Sequence, residues 1–369
     1  MRFLVIQTRD IGDVLLSTAL CDALKAAHPE ASVDMLTMDH CAGVVQGNPN
    51  IDEVVVLEGK RRNEARYMAA FLRAVRRKRY DVILNVQGQL IGLLTCLASR
   101  RSRRIGFDRF PWRLAHTDSI RLRAYTETSG QGYTLDDRFA LIELLGAADQ
   151  PREYHIHLDD AEVARGRALL AAAGMDCARP IVALGINARD DYKRWPLASY
   201  AELATWLVEA FGAQLFVFFG PSEAEYSRSF KPLLSERVRA SVFDNVTTRS
   251  IRELAMAFRH CALYVGNDTG PRHIAQAVDL PAFAIVSPSS DKWCWIPWGH
   301  PRFRAVDTGD ALGLAREDWQ RTRAPLTPGS AEDQDWFRKL DAGFVRAEVA
   351  RMITELGLFR PSDVRSAAQ

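Results

Sequence analysis

The densest chemistry in the chain lies in Asn267, Asp268, Thr269, Gly270, Pro271, Arg272 and His273. A short apolar run at 263–265 leads into them and a helical pattern follows, so they read as a strand-to-helix turn. Pro271 suits the first helical position, where its missing N–H would have no intrahelical partner. Asp268 and Thr269 then stand where unpaired backbone N–H groups and the positive end of a helix dipole point outward. That is a site for an anion, most naturally a phosphate. A carboxylate beside a phosphate repels it unless it serves another group, and a sugar with several hydroxyls is such a group. The turn therefore points to a nucleotide-sugar; the alternative is a well-capped turn that binds nothing.

Four other constellations follow strand-like runs. Thr8, Arg9, Asp10, Ile11, Gly12 and Asp13 end the first of these. One glycine falls short of a dinucleotide fingerprint, though Gly12 permits close backbone approach. Asp13 stands at or near a helix N-cap. There it is either a cap or a general base placed to take a proton from a sugar hydroxyl. Lys193 and Arg194, ahead of Trp195 and Pro196, can neutralise charge on a departing phosphate, or are solvated surface cations. Glu223 and Glu225 each suit the vicinal hydroxyls of a ribose, and each is equally an ordinary first-turn acid. Ser289, Ser290, Asp291 and Lys292 open an aromatic loop at 287–300, suited to stacking or to plain packing. Glu153, His155, His157 and Asp159 alternate in a way that could hold a metal, but a solvated face at a domain boundary fits them better. With no carboxylate-rich DxD arrangement in the strand-end motifs either, neither a metal nor a resident cofactor is expected. The chain has no P-loop and no GxSxG element, which argues against kinase and hydrolase chemistry.

The elements that must position these residues alternate. Strand-like runs at 3–8, 33–37, 54–57 and 82–86 enclose helical patterns at 14–27 and 64–78. After an acidic passage at 159–162 the pattern restarts, with strands at 181–186, 215–219, 263–265 and 283–286 and helices at 199–210, 251–258 and 272–278. The expected class is α/β: two Rossmann-like, doubly wound parallel-sheet domains facing each other, with ligands beyond the C-terminal strand ends in an interdomain cleft. The expected boundaries are 1–155 and 156–340, followed by 341–369 as a closing helix and tail packing back on the first domain. Residues 311–335 are polar, contain prolines and fit no element.

Composition narrows the class further. At 47% hydrophobic and 25% charged residues the chain reads as globular. No apolar run approaches the roughly 18 residues that cross a bilayer, and the N-terminus does not read as a signal peptide. Six scattered cysteines without a CxxC pair fit reduced thiols in a cytoplasm. The net charge of +2 hides an asymmetry: residues 60–123 hold 17 Lys and Arg against 4 Asp and Glu, a net +13, so the rest carries −11. Such a stretch meets an anionic partner, or is in part the solvated face of a helix at 73–79. Arg100, Arg101, Arg103 and Arg104 form a second knot beside the consecutive run at 76–79. A nucleic-acid scaffold would leave the ordered strand-end motifs unexplained.

Taken in order, IGDVLLST at 11–18, KRWP at 193–196 and NDTG at 267–270 with His273 resemble the ADP-heptose:lipopolysaccharide heptosyltransferases. Weaker matches are DVILNVQG at 81–88, RIGF at 104–107 and SIREL at 250–254, so the resemblance spans roughly residues 1–300. It implies a GT-B fold with donor held by the C-terminal domain and acceptor by the N-terminal one. It also implies inverting, metal-independent transfer of heptose from ADP-heptose to an anionic lipopolysaccharide inner-core acceptor. The setting would be cytoplasmic, with peripheral contact at the inner-membrane surface. Carried over, Asp13 is the base and Lys193, with Arg194 beside it, stabilises the leaving ADP. Asp268 holds donor-sugar hydroxyls, and Thr269, Gly270 and His273 hold the diphosphate. One of Glu223 or Glu225 takes the ribose, and Arg100, Arg101, Arg103 and Arg104 face the acceptor. The chain departs from the family at Ala19, where a proline is common, and at 185–188, where Gly-Ile-Asn-Ala replaces His-Pro-Gly-Ala. It also lacks a cysteine-containing pattern at 311–335. Two other readings remain: a GT-B transferase acting on a protein or other glycan with a different nucleotide-sugar, and a nucleotide-sugar-binding module without turnover.

Overall fold

In the computed structural model, which describes residues 1–122 and 133–359, the first apolar run forms β1 (Arg2–Ile6). It lies inside a parallel sheet with β2 (Ser32–Met38), β3 (Glu53–Leu57), β4 (Val82–Asn85), β5 (Arg103–Phe107) and β6 (Asp118–Ile120), in the order β3-β2-β1-β4-β5-β6. A second parallel sheet holds β7 (Ile181–Gly185), β8 (Gln214–Val217), β9 (Val242–Phe243), β10 (Leu263–Asn267), β11 (Ala282–Ile285) and β12 (Phe303–Val306), in the order β12-β11-β10-β7-β8-β9. Both sheets are doubly wound, as the alternation predicts. The direction of winding reverses between β1 and β4 in the first and between β7 and β10 in the second. Chains leaving the C-terminal ends of such a strand pair diverge and leave a crevice where ligands bind.

Most of the strands legible in the sequence are buried on both faces and appear as largely apolar runs; β3 is an exception, an edge strand with Glu53 and Val56 exposed that its run at 54–57 still reveals. The four that were missed are β5, β6, β9 and β12. Three of these are sheet edges, and the set carries arginines or is very short. Each sheet belongs to its own compact unit, Met1–Leu158 and Asp159–Gln369, a division a few residues beyond the expected boundary. Each unit has a core of its own residues: Leu4, Ile6, Leu36, Val75 and Ile83 among others in the first, Val182, Leu184, Leu207, Leu215 and Val265 among others in the second.

The acidic passage at 159–162 turns out to be a capping box. Asp159 accepts from the Glu162 N–H and Glu162 from the Asp159 N–H, which starts the helix Asp160–Ala172. The closing helix, expected to pack on the first domain, is Ala342–Leu356. Its buried face of Val345, Val349, Met352 and Ile353 enters the core of the second unit, with Phe359 beyond it. Residues 311–335 supply two further helices, Arg316–Arg323 and Ala331–Arg338. Arg123 at the end of the basic stretch, and the tail at 360–369, lie outside the described residues.

Candidate functional site

In the first unit the chemistry gathers at the switch point. The helix Ile11–Ala27 begins directly beyond β1, with Asp10 as its N-cap residue. Asp13 is therefore not the cap but the third residue of the first turn, 8% exposed. Its carboxylate satisfies side chains instead of helix N–H groups. Arg138 Nη2 donates to Asp13 Oδ1 at 2.5 Å, and Gln87 Nε2 donates to the same oxygen at 2.8 Å. Arg138 Nη1 donates to the Asp13 carbonyl and, at 2.9 Å, to Ser17 Oγ. Gln87 comes from the loop after β4, and Thr8 Oγ1 donates to Gln89 Oε1 at 2.7 Å in that loop. The two strand-end segments at the switch point are thus tied together through Asp13 and Thr8.

The basic knot divides. Arg103 forms a two-toothed ion pair with Asp118 across β5 and β6 (2.9 and 3.1 Å). Arg104 donates to the carbonyls of Ala115, Arg100 and Ser102. These two guanidiniums tie the sheet edge together, and both remain partly exposed. Arg100 and Arg101 are exposed.

In the second unit Asn267, fully buried at the end of β10, is a hub. Its Oδ1 accepts from the Trp195 N–H (3.0 Å) and from Tyr200 Oη (2.9 Å), and its Nδ2 donates to the Ile186 carbonyl at 2.9 Å. The loop after β7, the KRWP segment and the turn after β10 are locked by this one amide. Trp195 is fully buried and donates through Nε1 to the Leu340 carbonyl, so it packs within the second unit. Gly185 and Gly266 face each other in register. A Cβ on Gly266 would lie 2.5 Å from Gly185 Cα, so only glycine allows this approach.

The helix after the turn is Gly270–Ala277. Thr269 is its N-cap residue and Pro271 stands one position later than expected. Thr269 makes no side-chain cap; its hydroxyl donates back to the Asn267 carbonyl. Pro271 brings no N–H and the Arg272 N–H donates to the Thr269 carbonyl at 3.0 Å, so the expected anion site comes down to the N–H groups at 269–270. Asp268 sits beside it. Arg272, 1% exposed, donates to Asp268 Oδ1 at 2.9 Å, to Gln276 Oε1 at 2.7 Å and to the Trp295 carbonyl at 3.0 Å. Its Nη2 also lies 2.7 Å from His273 Nε2. A guanidinium only donates, so Nε2 accepts, and the ring is neutral with its proton on Nδ1. Burial holds the neighbouring Tyr264 phenol well above its ordinary range, and it donates to the Asn267 carbonyl.

The remaining candidates separate by environment. Lys193 is partly exposed, with Asp190 4.0 Å away. Arg194 is a loop tie: it donates to the Ala188 carbonyl, pairs with Asp191 at 2.6 Å and stacks over Tyr226. Glu223 Oε2 accepts from the Gly220 N–H at 2.8 Å, which fixes its carboxylate, whereas Glu225 is exposed. The 287–300 loop is braced by the unassigned segment. Asp291 pairs with Arg323 at 2.7 Å and Ser289 donates to Asp333. Lys292, buried, reaches Asp307 and Asp310. His155 pairs with Glu153, and among the described residues no group of three His, Cys, Asp or Glu is arranged to hold a metal.

Reading the sequence alone missed Arg138 and Gln87. A signal for Arg138 was present, because it sits among Leu135, Phe139 and Ile142 at helical spacing. A cation on an apolar face needs a buried counter-charge.

Comparison with known proteins follows the same lines. A family model described as glycosyltransferase family 9 (heptosyltransferase) matches residues 68–303. Lipopolysaccharide heptosyltransferase 3 of Escherichia coli is 24% identical over 305 residues, covering 78% of this chain and 84% of that protein. The solved E. coli ADP-heptose lps heptosyltransferase II superposes with a TM-score of 0.75 at 20% identity, covering 97% of this chain and 100% of that one. E. coli heptosyltransferase WaaC, solved with ADP-2-deoxy-2-fluoro heptose, gives 0.64 at 18% identity, covering 95% and 99%.

Proposed function

The chain belongs to glycosyltransferase family 9, the heptosyltransferases, and has the GT-B fold; on that premise we propose that it transfers heptose from ADP-heptose to an anionic lipopolysaccharide inner-core acceptor, with inversion and without a metal. The observation that carries this reading is the Asp268–His273 turn. It sets an uncapped helix N-terminus, suited to a diphosphate, beside a clamped carboxylate suited to sugar hydroxyls. The ADP-sugar analogue named with the solved WaaC supports the same donor class.

In the proposed reaction Asp13 takes the proton of the acceptor hydroxyl as that oxygen bonds to the anomeric carbon. On the opposite face the bond from that carbon to the β-phosphate oxygen breaks, and its electron pair leaves with ADP. Lys193 and the backbone N–H groups at Gly270 stabilise the charge that develops there. His273, being neutral, contributes no charge. Glu223, already fixed, suits the ribose better than exposed Glu225. The acceptor's anionic groups fall to Arg100 and Arg101.

A membrane-surface setting draws support from the same region. Leu90 and Leu97 on the helix Leu90–Ala98, with Phe110 and Leu114 around the adjoining turn Trp112–Ala115, are large apolar side chains exposed to solvent. Arg100, Arg101, Arg109 and Arg113 lie among them in the sequence and are exposed too. Basic residues near an anionic leaflet gain about 1 kcal/mol each. No helix among the described residues is long and apolar enough to cross a membrane.

The test combines calorimetry on ADP, UDP and GDP with transfer from ADP-heptose to heptose-deficient core acceptor. ADP should bind best, and Asp13→Asn should lower transfer about 10³-fold while ADP binding stays within about twofold. Tighter binding of UDP or GDP removes the donor assignment; undiminished transfer by Asp13→Asn removes the base.

A further inference from the structure

We propose that Arg138 is a positioning residue that divides the labour of the Asp13 carboxylate, holding Oδ1 so that Oδ2 takes the proton; this rests on the reading of Asp13 as the base. Arg138 is 2% exposed, in the short helix Thr134–Phe139. It grips Asp13 at two points, Nη2 on Oδ1 and Nη1 on the main-chain carbonyl, while Nη1 also reaches Ser17 Oγ one turn along the same helix. Two parallel N–H groups on one residue fix where the carboxylate lies and also how it is turned. Gln87 adds a second donor to Oδ1. A carboxylate only accepts, so the amide nitrogen must face it and Gln87 Oε1 must point away; that oxygen has no partner among the described residues. Oδ2 accepts no hydrogen bond from any described residue, yet the carboxylate retains a trace of exposure.

The asymmetry has a chemical use. A carboxylate free to rotate presents either oxygen, in any orientation, to an incoming hydroxyl, and proton transfer depends on placement before strength. With Oδ1 saturated by two donors, Oδ2 is the oxygen with an unused lone pair, and its direction is set by groups that do not move with substrate. Arg138 also offsets the cost of keeping a charge at 8% exposure. Burial pulls the guanidinium below its ordinary range, with Asp13 acting in the opposite sense, and the arginine stays charged throughout.

The experiment uses the full chain and four variants: Asp13→Asn, Arg138→Met, Arg138→Lys and the double variant Asp13→Asn/Arg138→Met. Transfer is followed as kcat and KM, ADP-heptose binding by calorimetry, and folding by thermal melt. Arg138→Met should lower kcat about 100-fold with the ADP-heptose Kd within about twofold, because none of the proposed donor-binding groups is touched. Arg138→Lys keeps the charge but loses the fork, and should recover about tenfold of that loss. In the Asp13→Asn background, Arg138→Met should cost less than about threefold more, since a residue acting through Asp13 has nothing left to position. If Arg138→Met does not fold, Arg138→Lys carries the test, with kcat reduced about tenfold at unchanged Kd. Near-normal kcat in a folded Arg138 variant, or a full additional loss in the double variant, overturns the inference and leaves the base assignment standing. Undiminished transfer by Asp13→Asn overturns both.

Discussion

A carboxylate taken out of water is costly unless charged donors meet it, and this chain meets that cost twice in the same way. Asp13 and Asp268 each lose Oδ1 to a nearly fully buried arginine, Arg138 and Arg272. At Asp268 the same guanidinium also holds His273 and the Trp295 carbonyl, so the acid proposed for the sugar hydroxyls and the turn proposed for the diphosphate share one anchor. Arg272→Gln should therefore weaken ADP-heptose binding about 30-fold and ADP binding by no more than about threefold. Equal losses for the two ligands in calorimetry would show that the arginine only stabilises the turn. Lys193, proposed to stabilise the departing phosphate, is partly exposed and only loosely paired, with Asp190 4.0 Å away. Lys193→Met should lower kcat about 100-fold with a smaller change in ADP affinity, measured by steady-state transfer. Arg194 and Lys292 are residues of such motifs whose partners are all internal, and the motif alone did not distinguish them.

Between elements, the second unit depends on a close crossing of the helices Asp160–Ala172 and Ile251–Phe258. A Cβ on Gly166 would lie 2.1 Å from the Met256 carbonyl oxygen. Gly166→Ala should destabilise the protein by about 1–3 kcal/mol in urea unfolding, despite the better helix propensity of alanine. The crossing is also ion-paired, Arg252 to Glu162 at 2.6 and 2.7 Å. Hydrogen bonding to Arg252 holds the Glu162 carboxyl below its ordinary 4.5. The folded-state value lies below the unfolded one, so this contribution is present above the unfolded value and is lost as pH falls through the folded one. Glu162→Gln should cost about 1–3 kcal/mol near neutrality, and the gap to the parent should close as pH drops from about 5 to 3. A gap that stays constant over that range would remove the ion pair as its source.

At the scale of the whole molecule, two cores built from separate residue sets predict separable stability. A fragment of residues 159–369 should fold alone and bind ADP within about tenfold of the full chain while transferring nothing. Loss of ADP binding in a folded fragment would place a donor ligand in the first unit. The charge asymmetry gives a second test. The full chain should sediment with anionic vesicles and not with zwitterionic ones, and binding should fall steeply between low and physiological salt. Phe110→Ser with Leu114→Ser should weaken it further, and indifference to both changes would remove the membrane surface from the reading.

The order of buried strands, the α/β class, the restart near residue 159 and the polar turn after β10 were all legible in the sequence. They rest on local rules: apolar runs where both sheet faces are covered, and glycine or proline where a turn requires them. Tertiary structure alone decided which polar groups meet. Asp13 and Arg138 are 125 positions apart, Asn267 and Trp195 are 72 apart, and nothing in the local pattern of either partner names the other. The edge strands β6, β9 and β12 stayed hidden because they are short or half-exposed and lack an apolar run, whereas the edge strand β3 keeps one at 54–57. Arg103 and Arg104 looked like a free anion site until their partners, carbonyls and one carboxylate brought near by the sheet edge, were in place. Periodicity records which face of an element is buried; it does not record what that face will find there.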